Sequence, residues 1–305
     1  MQRRKFIQNT TITAATLATG LPLIAKNKSI MSEPTFNLNY APHLGMFQHH
    51  AGTNPIDQLK FMAAQGFRSF EDNGMKNRPM AMQEKMALTM AKHNIEMGVF
   101  VAHKIYWHKP NLASGDEAYR AEFLQQIKES IEVAKRVNAK WMTVVPGALD
   151  NRQDMGYQTT NVVETLKRAS ELLEPHNLVM VLEPLNFRDH PGLFLTKSAQ
   201  AYQICKAVDS SACKILFDIY HQQITEGNII PNIEQTWDEI AYFQIGDNPG
   251  RKEPTTGEIN YKNVFKYIHK RDFKGILGME HGNSQAGKDG ELAVIKAYRT
   301  CDDFK

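Results

Sequence analysis

From about residue 36 onward the chain alternates between short apolar runs of strand length and longer segments whose apolar residues recur every three to four positions. The runs lie at 37–44, 67–71, 96–101, 141–145, 179–183, 214–218, 240–245 and 275–280. Helical periodicity falls between them at 55–65, 80–93, 118–137, 161–176, 198–208 and 261–271, with a weaker pattern at 232–237 and a last one from about residue 287. A strand, a helix and a second strand in succession build a parallel pair with a right-handed crossover. Eight such units in strict alternation predict a closed α/β structure, the (β/α)8 or TIM barrel. A length of 305 residues suits one barrel of about 250 residues better than two small domains. No linker, repeat or low-complexity tract divides residues 36–305, which are read as one domain.

In such a barrel the carboxyl ends of the strands form one rim, and functional groups collect there. Four consecutive runs end at that rim on a polar side chain: Glu183, Asp218, Gln244 and Glu280. Neighbouring strands lie ~4.8 Å apart, so these groups are crowded together. Carboxylates at that spacing repel one another unless protons or a cation neutralise them. Three carboxylates and an amide oxygen are the donor set of a hard divalent cation, Mg2+ or Mn2+. A single glutamate at a strand end is ordinarily an ion-pair partner, and Gln244 alone carries no signal; four on consecutive strands do. Glu183 and Glu280 would flank the cation, one placed to remove a proton α to a carbonyl and the other to return it, while the cation polarises the substrate oxygens.

Two further residues lie beside this set. His221 follows Asp218 by one short turn, near enough to meet a substrate oxygen. Arg251 sits in the loop after the seventh run, where Pro249 and Gly250 turn the chain back over the barrel mouth. Its guanidinium could grip a substrate carboxylate through two parallel hydrogen bonds or stabilise an alkoxide. The loop after the third run carries His103, Lys104 and Trp107, candidates for an anionic group or a sugar face and equally for anchoring the loop.

Composition excludes several classes. The formal charge is +3, and Arg3, Arg4 and Lys5 with no acid in residues 1–25 account for all of it, so the chain beyond residue 25 is neutral. Nucleic-acid binding needs a concentrated basic face, and none is encoded. His43, His49 and His50 bring trinuclear-zinc barrel nucleases to mind, but the neutral charge argues against DNA. Gly-rich dinucleotide loops, phosphate loops, nucleophile elbows and paired-His zinc helices are absent. Cys205, Cys213 and Cys301 have no metal-type spacing, and a Cys205–Cys213 bridge is disfavoured because one lies in a predicted helix and the other just before a strand. Residues 1–30, with Arg3-Arg4-Lys5-Phe6 before a mildly apolar stretch, are similar to a twin-arginine export signal. That address predicts a periplasmic protein. Leu23 is a poor residue three positions before a cleavage at Ala25, which leaves the boundary open. No segment is long and apolar enough to span a membrane.

Three stretches carry a resemblance to a known family. They are Leu182-Glu183-Pro184-Leu185-Asn186, Phe217-Asp218-Ile219-Tyr220-His221-Gln222, and Phe243-Gln244-Ile245-Gly246-Asp247-Asn248-Pro249-Gly250-Arg251-Lys252-Glu253-Pro254-Thr255-Thr256-Gly257-Glu258-Ile259-Asn260-Tyr261. Together they resemble hydroxypyruvate isomerase, within the xylose isomerase-like TIM barrels. The resemblance implies that Glu183 and Glu280 are the proton donor and acceptor. By analogy with ketose 3-epimerases, it implies that Glu183, Asp218, Gln244 and Glu280 hold the cation and that His221 and Arg251 touch substrate. Those epimerases usually have His where this chain has Gln244, a departure that bears on metal affinity rather than on fold. The expected activity is metal-assisted isomerisation through an enediolate, with hydroxypyruvate to tartronate semialdehyde leading. Ketose 3-epimerisation or another sugar isomerisation is the alternative, and a non-catalytic periplasmic sugar-binding barrel is the alternative of another class. The expected partner is a small molecule, with no nucleic acid and no membrane span; a homo-oligomer is compatible with the sequence.

Overall fold

The computed structural model describes residues 36–304. The arginine pair and the proposed signal at 1–30 lie outside the described residues. Eight strands follow in chain order: β1 (Asn39–Ala41), β2 (Ser69–Phe70), β3 (Glu96–Met97), β4 (Trp141–Val144), β5 (Val179–Leu182), β6 (Cys213–Asp218), β7 (Ile240–Gln244) and β8 (Ile276–Gly278). One parallel sheet runs β1-β8-β7-β6-β5-β4, and β2-β3 form a second parallel pair. Single parallel bridges join the two at both edges, His43 with Glu71 on one side and Met97 with Ala139 and Val101 with Thr143 on the other. These bridges close the ring, and the expected TIM barrel is what the chain forms. Most strands are shorter than their apolar runs, because the ladder ends where the chain bends into the rim loops.

The helices around the ring are α1 (Gln48–Ala51), α2 (Pro55–Ala64), α3 (Met80–His93), α4 (Glu117–Val137), α5 (Met155–Leu173), α6 (Ser198–Val208), α7 (Ile219–Thr225), α8 (Ile229–Thr236), α9 (Tyr261–Lys270) and α10 (Gly287–Cys301). Asn54, Asp116 and Asp154 cap α2, α4 and α5 by accepting from backbone N–H groups two residues on. The Asp154 cap explains why α5 starts earlier than its apolar periodicity. Asn94, Asn138 and Asp209 end α3, α4 and α6 in the left-handed region, which short polar side chains tolerate. Periodicity missed α1 and α7, each too short to show it. α7 starts where it does because Asp218 Oδ1 accepts from the backbone N–H groups of Tyr220 and His221, at 2.8 and 3.3 Å.

Alternation along the strands sorts side chains into two layers. Outward residues such as Met180, Leu182, Phe217 and Phe243 pack with the helices in the main core. Ala41, Val99, Trp141, Val179, Val181, Leu216, Tyr242 and Ile276 form a smaller cluster, the packed interior of the barrel. All three cysteines are free and buried. Cys205 and Cys213 stay free thiols with no bridge between them, and hydrogen bonding to Cys205 is the first cause, ahead of burial, of the raised Cys213 thiol pKa.

Candidate active site

Period two carries the inward layer to the rim. Val179 and Val181 precede Glu183, Leu216 precedes Asp218, Tyr242 precedes Gln244, and Ile276 and Gly278 precede Glu280, so every rim residue shares the parity of the barrel interior. Register then aligns Asp218 with Gln244 and Gln244 with Gly278. Potential ligand atoms of Glu183, Asp218, His221 and Glu280 all lie within 4.8 Å of one another. Among the described residues this is the one group of three or more histidines, cysteines or carboxylates so arranged.

Glu71 belongs to the same layer, and sequence reading passed over it. Its carboxylate accepts from the Tyr242 hydroxyl at 3.0 Å and from Gln244 Nε2 at 3.5 Å. Room for it comes from a missing side chain, since a Cβ on Gly278 would lie 1.9 Å from Glu71 Oε2. Burial, and after it the neighbouring Glu280 charge, raise the Glu71 pKa well above the ordinary carboxylate range. Asn73, two residues on, donates to Glu280 Oε1 at 2.8 Å. The signal for Glu71 was present, because it ends the run 67–71 just as Glu183 ends its own. Nothing in the sequence pointed to Asn73.

Arg251 reaches into this cluster. Its Nη2 donates to Glu280 Oε2 at 2.5 Å and to Asp218 Oδ2 at 3.2 Å, and its Nε donates to the Glu280 carbonyl at 3.2 Å. Its guanidinium lies 4.8 Å from the Tyr220 ring centroid. Burial works to lower the Arg251 pKa, but Asp218, Glu280 and Glu183 outweigh it and the net shift is upward. Nε and Nη2 are thus engaged with the protein's own oxygens. Both proton-transfer candidates are shifted upward. Burial and then the charges of Glu280 and Asp218 raise Glu183 well above the carboxylate range. Burial raises Glu280 too, against the opposing pull of Arg251.

The unusual stretch after β7 is a built clamp that aims Arg251. Asp247 accepts from the backbone N–H groups of Asn248, Gly257 and Ile259 at 2.9, 2.9 and 3.1 Å. A Cβ on Gly257 would lie 1.7 Å from the Asn248 carbonyl oxygen, so only glycine permits this fold-back. Asn248 Nδ2 ties the loop to the Tyr220 carbonyl at 3.0 Å, and Glu253 accepts from the Ser284 backbone N–H at 2.8 Å. Arg251 itself has φ +48°, a left-handed conformation uncommon for a residue with a Cβ.

His221 is buried, with Nε2 3.5 Å from Asp218 Oδ2 and 3.9 Å from Glu183 Oε1. Burial lowers its pKa to about 4, so the ring is neutral at physiological pH. Its Nδ1 meets the Asn186 side chain at 2.7 Å and the Asn186 backbone N–H at 3.2 Å. Among the loop candidates, His103 is an anchor: Nδ1 binds the Lys104 carbonyl at 2.9 Å and Nε2 accepts from Val145 N–H at 3.2 Å. Lys104 turns to the Tyr106 hydroxyl at 3.2 Å. Trp107 does approach the site, stacked on His190 at 5.0 Å, with His190 in turn 5.5 Å from the His221 ring. His43 binds the carbonyls of Leu44 and His281, and His50 pairs with Glu291, so these two histidines are used structurally.

The donor set fits a hard cation. Glu183, Asp218 and Glu280 supply carboxylate oxygens, and Gln244 adds a buried Oε1 that has no hydrogen-bond partner while its Nε2 turns to Glu71. An orphaned buried carbonyl oxygen is costly, and a cation would satisfy it. With Glu71 the region holds four carboxylates against the single guanidinium of Arg251, which leaves charge for a cation or protons to balance.

Comparison with known proteins agrees with this architecture. Residues 59–301 match the family model described as the xylose isomerase-like TIM barrel. Hydroxypyruvate isomerase of Escherichia coli (strain K12) is 32% identical over 212 residues, 66% of this chain and 82% of that protein. The 2-oxo-tetronate isomerase of Cupriavidus necator is 29% identical over 261 residues, 83% of this chain and 95% of its own length. A crystal structure described as AP endonuclease, family 2 from Brucella melitensis superposes with a TM-score of 0.72 at 22% identity, covering 86% of this chain and 99% of its own. D-psicose 3-epimerase of Clostridium cellulolyticum H10, solved with D-tagatose, gives 0.67 at 16% identity, covering 88% and 92%. At those identities structural likeness shows the fold alone. The family match runs through every strand from β2 to β8, and the chain belongs to the xylose isomerase-like TIM barrel family of isomerases.

Proposed function

We propose that the protein is a divalent-cation-assisted isomerase that interconverts hydroxypyruvate and tartronate semialdehyde. One observation carries this assignment: two glutamates with raised pKa values, buried Glu183 and partly exposed Glu280, share one small space with Asp218, and Arg251 lies at its edge. A carboxylate with a raised pKa is a stronger base at neutral pH and, once protonated, a usable acid. In the forward direction one glutamate takes a proton from the hydroxymethyl carbon, C3, and the released electron pair forms the C2–C3 double bond of the enediolate. The C2 oxygen holds the charge until it is protonated. The other glutamate returns a proton to C2 as the C3 hydroxyl proton passes to the C2 oxygen, leaving an aldehyde at C3 and a hydroxyl at C2, so atoms and protons balance. A bound Mg2+ or Mn2+ would polarise the reacting oxygens and offset the charge that develops on them. His221, whose Nε2 faces the carboxylates, donates to a substrate oxygen, and Arg251 Nη1 meets the substrate carboxylate. Both relatives named above are isomerases of 2-oxo acids, which supports a carboxylate-bearing substrate.

A substrate panel in D2O tests this. Purified protein with Mg2+ or Mn2+ is expected to convert hydroxypyruvate, with deuterium appearing at the exchanging carbon by proton NMR. Turnover of 2-oxo-tetronate or of a ketose without hydroxypyruvate would overturn the choice of substrate. Binding of a sugar with no exchange would favour the non-catalytic barrel. For location, the Arg3-Arg4 pair supports periplasmic export, and replacing both with Lys should retain the protein in the cytoplasm on cell fractionation.

A further inference from the structure

Asn186 follows Glu183 by three residues, and its side chain is completely buried against His221. Its orientation is set locally: Oδ1 accepts from the backbone N–H groups of Arg188 and Asp189, both at 2.9 Å, so Nδ2 must point the other way. There it donates to Asp189 Oδ2 at 3.0 Å and to His221 Nδ1 at 2.7 Å. The Asn186 backbone N–H donates to the same Nδ1 at 3.2 Å. An imidazole nitrogen that accepts from two donors carries no proton, so the ring proton sits on Nε2. That N–H faces Asp218 Oδ2 and Glu183 Oε1. A cation needs a lone pair at the nitrogen that binds it, and this tautomer offers none on the side facing the carboxylates.

We propose that Asn186 is a positioning residue that locks His221 in the Nε2–H tautomer, making His221 a hydrogen-bond donor at the site and excluding it from cation ligation. The bracket extends further. Asp189 Oδ2 also accepts from the Tyr220 hydroxyl at 2.8 Å, and the Tyr220 ring lies under the Arg251 guanidinium, so one hydrogen-bonded network, reaching the surface at Asp189, orients both residues assigned to substrate. That the His221 donor meets a substrate oxygen rests on the functional reading above; the tautomer does not.

The test uses full-length protein labelled with 15N at histidine, with the His221 signals identified from a His221→Gln variant. Long-range proton–nitrogen correlation spectra separate the two tautomers. Wild-type His221 should show the Nε2–H pattern and keep it when Mg2+ is added. Asn186→Asp places an acceptor where Nδ2 was and should shift the ring toward Nδ1–H. In that variant kcat should fall at least tenfold with KM changed much less, and Mg2+ affinity by calorimetry should rise as a bare Nε2 joins the ligand set. A purely structural role for Asn186 would move stability without changing the tautomer or splitting kcat from KM. An Nδ1–H pattern in the wild type, or a lone-pair shift at Nε2 on adding Mg2+, would overturn the proposal, and this arm stands even if the variant fails to fold. An unchanged tautomer in folded Asn186→Asp would overturn it as well. The Nε2–H pattern in a wild type that turns over nothing in the panel would support it while removing the functional reading.

Discussion

The two halves of the barrel supply the site on different terms. In the half from β5 to β8 the strands run in one continuous parallel sheet, and each apolar run ends on the residue it points to: Glu183, Asp218, Gln244 and Glu280. The other half is looser in its pairing. β2 and β3 form a two-stranded unit held to the rest by single bridges, and their contributions, Glu71 and Asn73, matter only through partners on β7 and β8. A barrel can thus place its reacting groups on one half and use the other to brace them.

The largest effects should come from the first half. Glu183→Gln and Glu280→Gln keep shape but remove a proton-transfer group, and each should lower kcat by roughly 100- to 10,000-fold with the fold intact by circular dichroism. Near-normal turnover in either would break the division between reacting and bracing halves. Cation binding comes next. Asp218→Asn is the variant to use, because asparagine still caps α7 while the ligand charge is lost. Calorimetry with Mn2+ should show severely weakened binding with thermal stability nearly unchanged. Arg251→Ala should raise the apparent KM for hydroxypyruvate by roughly 10- to 150-fold, the equivalent of a charge-assisted hydrogen bond of about 1.5–3 kcal/mol. Arg251→Lys should not restore it, since a point charge cannot serve Asp218, Glu280 and a ligand together.

The smallest and most discriminating effect belongs to the bracing half. Because the folded-state pKa of Glu71 is raised, the folded protein holds that proton more tightly than the unfolded chain. Its stabilising contribution is therefore present below the unfolded carboxylate pKa and lost as pH rises through the raised folded value. In metal-free protein, Glu71→Gln should remove that decline and raise the Tm at alkaline pH by a few degrees, on the order of 1 kcal/mol. Turnover should fall far less than in the Glu183 and Glu280 variants. A loss as large as theirs would place Glu71 among the reacting groups.

What was legible in the sequence was what depends on neighbours in the chain. Strand and helix order follows from local periodicity, and the inward parity of Glu183, Asp218, Gln244 and Glu280 follows from alternation within each strand. Pro249 and Gly250 after β7 marked a turn back over the barrel mouth, although the loop's clamp around Asp247 became visible only in three dimensions. Closure of the ring decided the rest. Asn73 meets Glu280 across 207 residues of sequence, Tyr242 meets Glu71 across 171, and no local pattern encodes either pairing. The same limit applies to Arg251 and His221, which sequence could place near the site but not orient. Which guanidinium nitrogens remain for a ligand, and which imidazole nitrogen carries the proton, are set by Asp218, Glu280 and Asn186, and those partners reach them only once β5, β6, β7 and β8 stand side by side.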